Sequence, residues 1–161
     1  MATHNFAAKL RQGEEIERLL DDFLDATYVI RKATTEEQRQ GIDRWLTPID
    51  PDGTGETISI DYKADWLAVR TGHVFIETIS VDRAGKSGWA LSSQAQFIFY
   101  YLPQRRKLYM LSMAEIQAAL PHWALIYQTR LAHNEGYESA GVLVPLSEIA
   151  RIAEEIIEVG E

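Results

Sequence analysis

The 161-residue chain is expected to adopt an α+β (mixed α/β) fold, a central mixed sheet of about five strands flanked by helices. Three observations predict it: a helical apolar stripe near the start, a succession of short β-like runs in the middle, and a second helical stripe near the end.

Residues 13–28 place Ile16, Leu19, Leu20, Phe23, Leu24 and Thr27 at helical spacing, with Glu and Asp on the outer face. In YVIRKATTEEQRQGID, Thr34 or Thr35 precedes two glutamates, the pattern of a capped helical turn leading toward Asp43. Three β-like runs follow at 42–46, 57–64 and 73–81, separated by turn-rich segments, so a meander is the simplest wiring. A glycine-containing loop, VDRAGKSGWALSSQ, leads to two further runs at 96–102 and 107–113, joined at Pro103-Gln104-Arg105-Arg106 as a hairpin. The stretch AEIQAALPHWALIYQTRLA is helical by pattern, and Pro121 is expected to split it into two shorter helices. An apolar run at 140–144 reads as a last strand. From Ser147, Ile149, Ile152, Ala153, Ile156 and Ile157 repeat a helical stripe.

Length and composition fit one domain, residues 1–161, with a single sizeable core. The chain has no cysteine, which excludes disulfides and thiolate metal or redox sites. Its histidines, His4, His73, His122 and His133, are too scattered for a paired zinc motif. No secretory pattern opens the sequence and no apolar run reaches the roughly 18 residues of a membrane span, so a cytoplasmic protein without a membrane partner is expected. The net charge of −8 opposes non-specific attraction to a polyanion, although bound cations and one basic face would offset it.

The segment 41–63, GIDRWLTPIDPDGTGETISIDYK, holds the chemistry-bearing pattern. Asp43 opens one run, and Asp61 and Lys63 share a face of the next, with Ile58, Ile60 and Tyr62 on the other face. A hairpin would bring two carboxylates and an ammonium together. The plain alternative is that Asp61, Lys63 and Asp65 form a solvated strand face, with an ion pair contributing little. Placement on two runs joined by a turn favours the functional reading.

An Asp followed 18 residues later by Asp-x-Lys resembles the signature of the PD-(D/E)xK nuclease superfamily, which has the restriction-endonuclease-like fold. The resemblance implies a metal-dependent endonuclease acting on DNA. Mg2+ or Mn2+ would be held by Asp43, Asp61 and the backbone carbonyl of Tyr62, with Lys63 orienting the attacking water or stabilising the developing phosphorane charge. As a base Lys63 would need a lowered pKa, which two aspartates oppose, so the metal is expected to activate the water. The family often adds an acid or amide from an upstream helix. Glu14, Glu17, Glu36, Glu37 and Gln38 all qualify, and Glu37 is nearest Asp43 in chain position.

Glu77 shares a strand face with Phe75 and Ile79. An acid on what would otherwise be a buried face is costly unless paired or metal-bound, so Glu77 is expected to complete the site. A second register, Asp61 or Asp65 with Glu77-Thr78-Ile79, lacks the lysine and is set aside. Arg44, Arg83, Lys86, Ser87 and Trp89 are the expected substrate contacts, with Trp89 stacking on an unpaired base.

The expected function is a phage or mobile-element recombination, repair or resolvase-type nuclease, cutting duplex or branched DNA as a symmetric homodimer. The alternative is a catalytically inactive domain of the same fold, an acidic protein-binding or inhibitory module. A third reading is a hydrolase of small phosphate esters.

Overall fold

The computed structural model describes residues 2–50, 52–81, 86–134 and 137–160. Helix α1 (Ala2–Leu24) leads to strand β1 (Tyr28–Lys32), helix α2 (Thr35–Arg39), and strands β2 (Arg44–Pro48) and β3 (Ile58–Ala64). Helix α3 (Ala68–Thr71), strand β4 (His73–Val81), the short β5 (Lys86–Ser87) and helix α4 (Trp89–Ser92) follow. Strands β6 (Phe97–Leu102) and β7 (Lys107–Ser112) flank a 3₁₀ turn, Pro103–Arg105. Helix α5 (Met113–Ile126), strands β8 (Thr129–Asn134) and β9 (Tyr137–Pro145), helix α6 (Leu146–Ile152) and strand β10 (Glu155–Glu158) complete the chain.

The predicted mixed α/β class is what the structure has: two β-sheets flanked by helices. The central sheet runs β1-β2-β3-β6-β7-β10, and a smaller antiparallel sheet runs β5-β4-β9-β8. Helix α1 covers one face of the central sheet, where Leu20 and Leu24 pack with Leu46, Ile60, Tyr62, Phe99 and Leu108. The other face meets the smaller sheet, α5 and α6 through Ile98, Tyr100, Leu111, Val74, Ile76, Val142, Ile116, Trp123 and Ile149. No helix among the described residues is long and apolar enough to cross a membrane.

Strand β4 was expected to continue a meander beside β3, but its partners are β5 and β9, and β3 instead pairs in parallel with β6. The cause is burial: β4 places Val74 and Ile76 in the core between the sheets, so it crosses over the central sheet rather than extending it. The central sheet, expected to have about five strands, has six, and the second sheet adds four. Strand β1, not expected at all, pairs with β2. Strand β8 lies where the helical reading of the stretch around Pro121 continued, and pairs with β9.

Two helical expectations also change. Helix α5 runs through Pro121 without splitting. The spacing of its buried residues, Met113, Ile116, Leu120 and Trp123, continues across the proline, which is itself exposed. An interior proline costs about 3 kcal/mol, whereas burying the 150–250 Å2 of a tryptophan alone contributes roughly 4–6 kcal/mol. Packing therefore outweighs the lost hydrogen bond. The closing stripe is helical only as far as Ile152. Beyond it β10 pairs with β7, and Glu154 donates its N–H to the Met110 carbonyl, satisfying backbone groups that a longer helix would have left bare.

Pro121→Ala restores the missing N–H in a helix already held in place. It is expected to raise the unfolding free energy by about 1–2 kcal/mol in urea titration; a loss of stability would mean that the proline shapes the helix rather than interrupting it.

Candidate functional site

Strand β3 is the interior strand on which the site is built. Its alternation turns Ile58, Ile60 and Tyr62 toward α1, and Ser59, Asp61 and Lys63 toward the smaller sheet. Asp61 lies beside Ile98 in register and Lys63 beside Tyr100, so both charged residues are set among core neighbours. Asp61 is only 5% exposed.

Asp43 immediately precedes β2 and is tied to β3 twice. Its N–H donates to the Ile60 carbonyl at 2.8 Å, and its Oδ2 accepts from the Tyr62 N–H at 2.9 Å. The charge of Asp43 acts on the Asp61 carboxyl. The Lys63 Nζ stands 3.3 Å from Asp61 Oδ2 and 5.7 Å from the centre of the Trp89 ring. Burial is the main cause that pushes the Asp61 carboxyl up to about 7; Lys63 opposes the shift, and the hydrogen bond and negative charge of Asp43 add to it. The structure thus brings Asp43, Asp61 and Lys63 together as the sequence pattern suggested.

On the α1 side a charged network adjoins this trio. Arg44 is 4% exposed. Its guanidinium meets Asp21 at 3.0 Å and Glu17 at 3.1 Å and donates to the Asp43 carbonyl at 3.0 Å. The Tyr62 hydroxyl donates to Asp21 Oδ1 at 2.9 Å, and the guanidinium lies 5.5 Å from the centre of the Tyr62 ring. The Glu17 carboxyl is raised, first by burial and then by the negative charge of Asp43, with Arg44 opposing.

Arg44 was expected to contact substrate; the structure instead holds it inside, as the counter-charge of α1. Glu37 was the preferred upstream acid, but its carboxylate closes the capping box of α2 with Thr34 and accepts from Arg31 and, at 2.6 Å, from the Trp45 Nε1. The Arg31 hydrogen bond is the main cause holding that carboxyl down to about 2. Glu17 is the upstream acid whose charge reaches Asp43. Glu17 and Asp21 are one turn apart at the border of the Ile16, Leu20 and Leu24 stripe; the structure partly buries both, a position that their spacing allowed but did not by itself distinguish from a solvated face.

Glu77 lies opposite Gly141 on β4. The buried parity of that strand is Val74 and Ile76, not the Phe75 and Ile79 side on which Glu77 was placed, and Ile79 is exposed. Among the described residues Glu77 makes no hydrogen bond or ion pair with Asp43, Asp61 or Lys63. Lys86 and Ser87 are exposed on β5, paired with Ser80 and Ile79, and Trp89 begins α4 against Lys63. Arg83 lies outside the described residues.

Among the described residues no group of three or more His, Asp or Glu forms a ready metal cluster. The donor set that does exist is two neighbouring carboxylates, Asp43 and Asp61, partly withdrawn from water. Like charges so placed require a proton or a cation between them, and an all-oxygen pair suits a hard divalent ion that keeps several of its own waters.

No family model and no curated protein matches the chain. The structure is weakly similar to that of a bacterial homing endonuclease, I-Ssp6803I, with a TM-score of 0.41 and 15% sequence identity over 68% of this chain and 69% of that one.

With divalent cations chelated, Asp61 holds its proton up to pH about 7 in the folded protein, against an ordinary value of 3.8. The folded state therefore binds more protons than the unfolded chain between those values. Its stability is greatest below the lower value, falls as pH rises, and levels off above the upper one. Asp61→Asn should flatten this slope and melt at a higher temperature than wild type at pH 8, as thermal unfolding at pH 5, 6.5 and 8 would reveal; an unchanged slope would place the proton elsewhere.

Proposed function

We propose that the chain is a metal-dependent endonuclease that hydrolyses DNA phosphodiester bonds at Asp43, Asp61 and Lys63. The observation that supports this most is that Asp43 is fixed on the backbone of β3, where its charge acts on the buried Asp61 carboxyl, beside an ammonium 3.3 Å from Asp61. A structural ion pair does not need the second carboxylate, whose charge only adds repulsion. A site for a hard cation does.

Asp43 and Asp61 would hold Mg2+ or Mn2+, with the Tyr62 carbonyl as a further oxygen donor. The ion would supply a lowered pKa for the attacking water and neutralisation of phosphate charge. The chain's own residues do the rest. The Tyr62 N–H fixes the orientation of Asp43. Lys63 presents its ammonium to the non-bridging oxygens of the scissile phosphate, where negative charge grows in the transition state. Arg44 touches no substrate in this reading; it offsets Glu17 and Asp21, so that their charges do not repel the incoming phosphate. Lys86 and Ser87, with Arg83 on the same connection, are the proposed backbone contacts to DNA, and Trp89 lies at the site's border. A homodimer would match the two-fold axis of a duplex or branched substrate. Such an enzyme would work in the cytoplasm.

A second reading has one observation in its favour. The net charge of −8 suits an acidic binding or inhibitory module better than a nucleic-acid enzyme.

Cleavage of plasmid, linear, single-stranded and four-way-junction DNA in Mg2+ or Mn2+ separates the two. Asp61→Ala and Lys63→Ala should each lower the cutting rate by about 10²–10⁴-fold while circular dichroism stays unchanged. Calorimetry should detect Mg2+ binding by wild type and its loss in Asp61→Ala. Absence of both cutting and metal binding would leave the acidic binding module as the reading to pursue.

A further inference from the structure

Lys63 ends in a flexible four-carbon stem, and its ammonium has two neighbours that fix it. One is Asp61, at 3.3 Å; the other is the Trp89 ring, whose centre is 5.7 Å away, within the distance at which a cation is attracted to an aromatic face. We propose that Trp89 is a positioning residue for Lys63, its indole face holding the ammonium beside the carboxylate pair. This goes beyond stacking on a base, and it rests on the nuclease reading given above.

The segment that presents Trp89 is pinned on three sides. The Gly88 N–H donates to the Thr78 carbonyl at 2.9 Å. A Cβ at Gly88 would stand 2.5 Å from the Glu77 carbonyl oxygen, so only glycine lets α4 lie this close to β4. The Gln117 Nε2 donates to the Ala90 carbonyl at 3.3 Å, tying α4 to α5. The Ser93 hydroxyl donates to the Gly41 carbonyl at 3.1 Å, and the Gln94 N–H donates to the Gln40 carbonyl at 2.8 Å. Gly41 lies two residues before Asp43. One short segment therefore braces the approach to Asp43 at one end and Lys63 at the other.

The aromatic contact differs from the ion pair in one respect that matters for the site. An Asp61 carboxylate shared with a cation attracts Lys63 less strongly, because its charge is partly neutralised. The Trp89 ring carries no formal charge to be neutralised, so its hold on Lys63 persists when that of Asp61 weakens. Without it, the ammonium would sample several rotamers in a partly exposed setting.

The test compares Trp89→Leu, Trp89→Phe, Lys63→Ala and the double variant Lys63→Ala/Trp89→Leu. Single-turnover cutting of plasmid DNA in Mg2+ gives the rate, and DNA affinity is read separately by anisotropy in Ca2+. Trp89→Leu should slow cutting about 10-fold, the equivalent of about 1.4 kcal/mol, with unchanged affinity. Trp89→Phe, which keeps an aromatic face, should recover most of the rate. In the Lys63→Ala background Trp89→Leu should have no further effect. Equal slowing by Trp89→Leu with and without Lys63 would overturn the proposal, as would weakened DNA binding with an unchanged rate. A readout independent of activity is the upfield ring-current shift of the Lys63 side-chain protons by NMR, expected in wild type and lost in Trp89→Leu. If wild type cuts nothing, the nuclease reading fails, and the presence or absence of that shift still decides whether Trp89 holds Lys63.

Discussion

Strand β3 is buried between α1 and the smaller sheet, yet its alternation places a carboxylate and an ammonium on one of its two faces. That constraint organises much of what surrounds it. A buried carboxylate is costly unless it is protonated or compensated, and Asp61 is met by both a second carboxyl group and a lysine. The flanking segments are arranged around this arrangement rather than merely covering it. Asp43 is drawn in by two hydrogen bonds to β3, and α4 sets Trp89 against Lys63.

The opposite face of the sheet compensates charge in another way. Arg44 is surrounded by Asp21, Glu17 and the Asp43 carbonyl, and the Tyr62 ring lies near its guanidinium. Removing one partner from such a buried group costs more than the net value of the pair, because the remaining charge is left in a poor solvent. Arg44 thus links α1 to the sheet close to the carboxylate pair. Position along the helix, not proximity in the chain, decides which upstream acid is near the site.

The residues show why some of this was legible in the sequence and some was not. The run at 73–81 could be read because Val74 and Ile76 follow the period of a strand, the run at 96–102 because it is short and continuously apolar and aromatic, and the Asp61 and Lys63 pattern because i and i+2 share a face. Glu37 misled because nearness in sequence says nothing about what a side chain is bound to; its carboxylate is already engaged by a helix cap. The Glu17 and Asp21 pair looked like an ordinary solvated face because sequence alone does not reveal a buried arginine 23 residues beyond Asp21. The parallel pairing of β3 with β6 was hidden for a related reason: no local pattern encodes which distant strand will be the neighbour. The long stripe after Ser147 contained both a helix and a strand, and only the free edge of β7 decided where one gave way to the other.

The parallel β3–β6 pairing has a temporal side. Asp61 acquires its neighbour Ile98 across a long crossover, whereas the β6–β7 hairpin closes through a short turn. Closing the longer loop costs more chain entropy and tends to come later in folding. Until it does, Asp61 remains hydrated and titrates like any exposed aspartate, and Lys63 has no fixed frame. The raised proton affinity of Asp61 is therefore a property of the completed chain, absent from any nascent fragment that ends before β6.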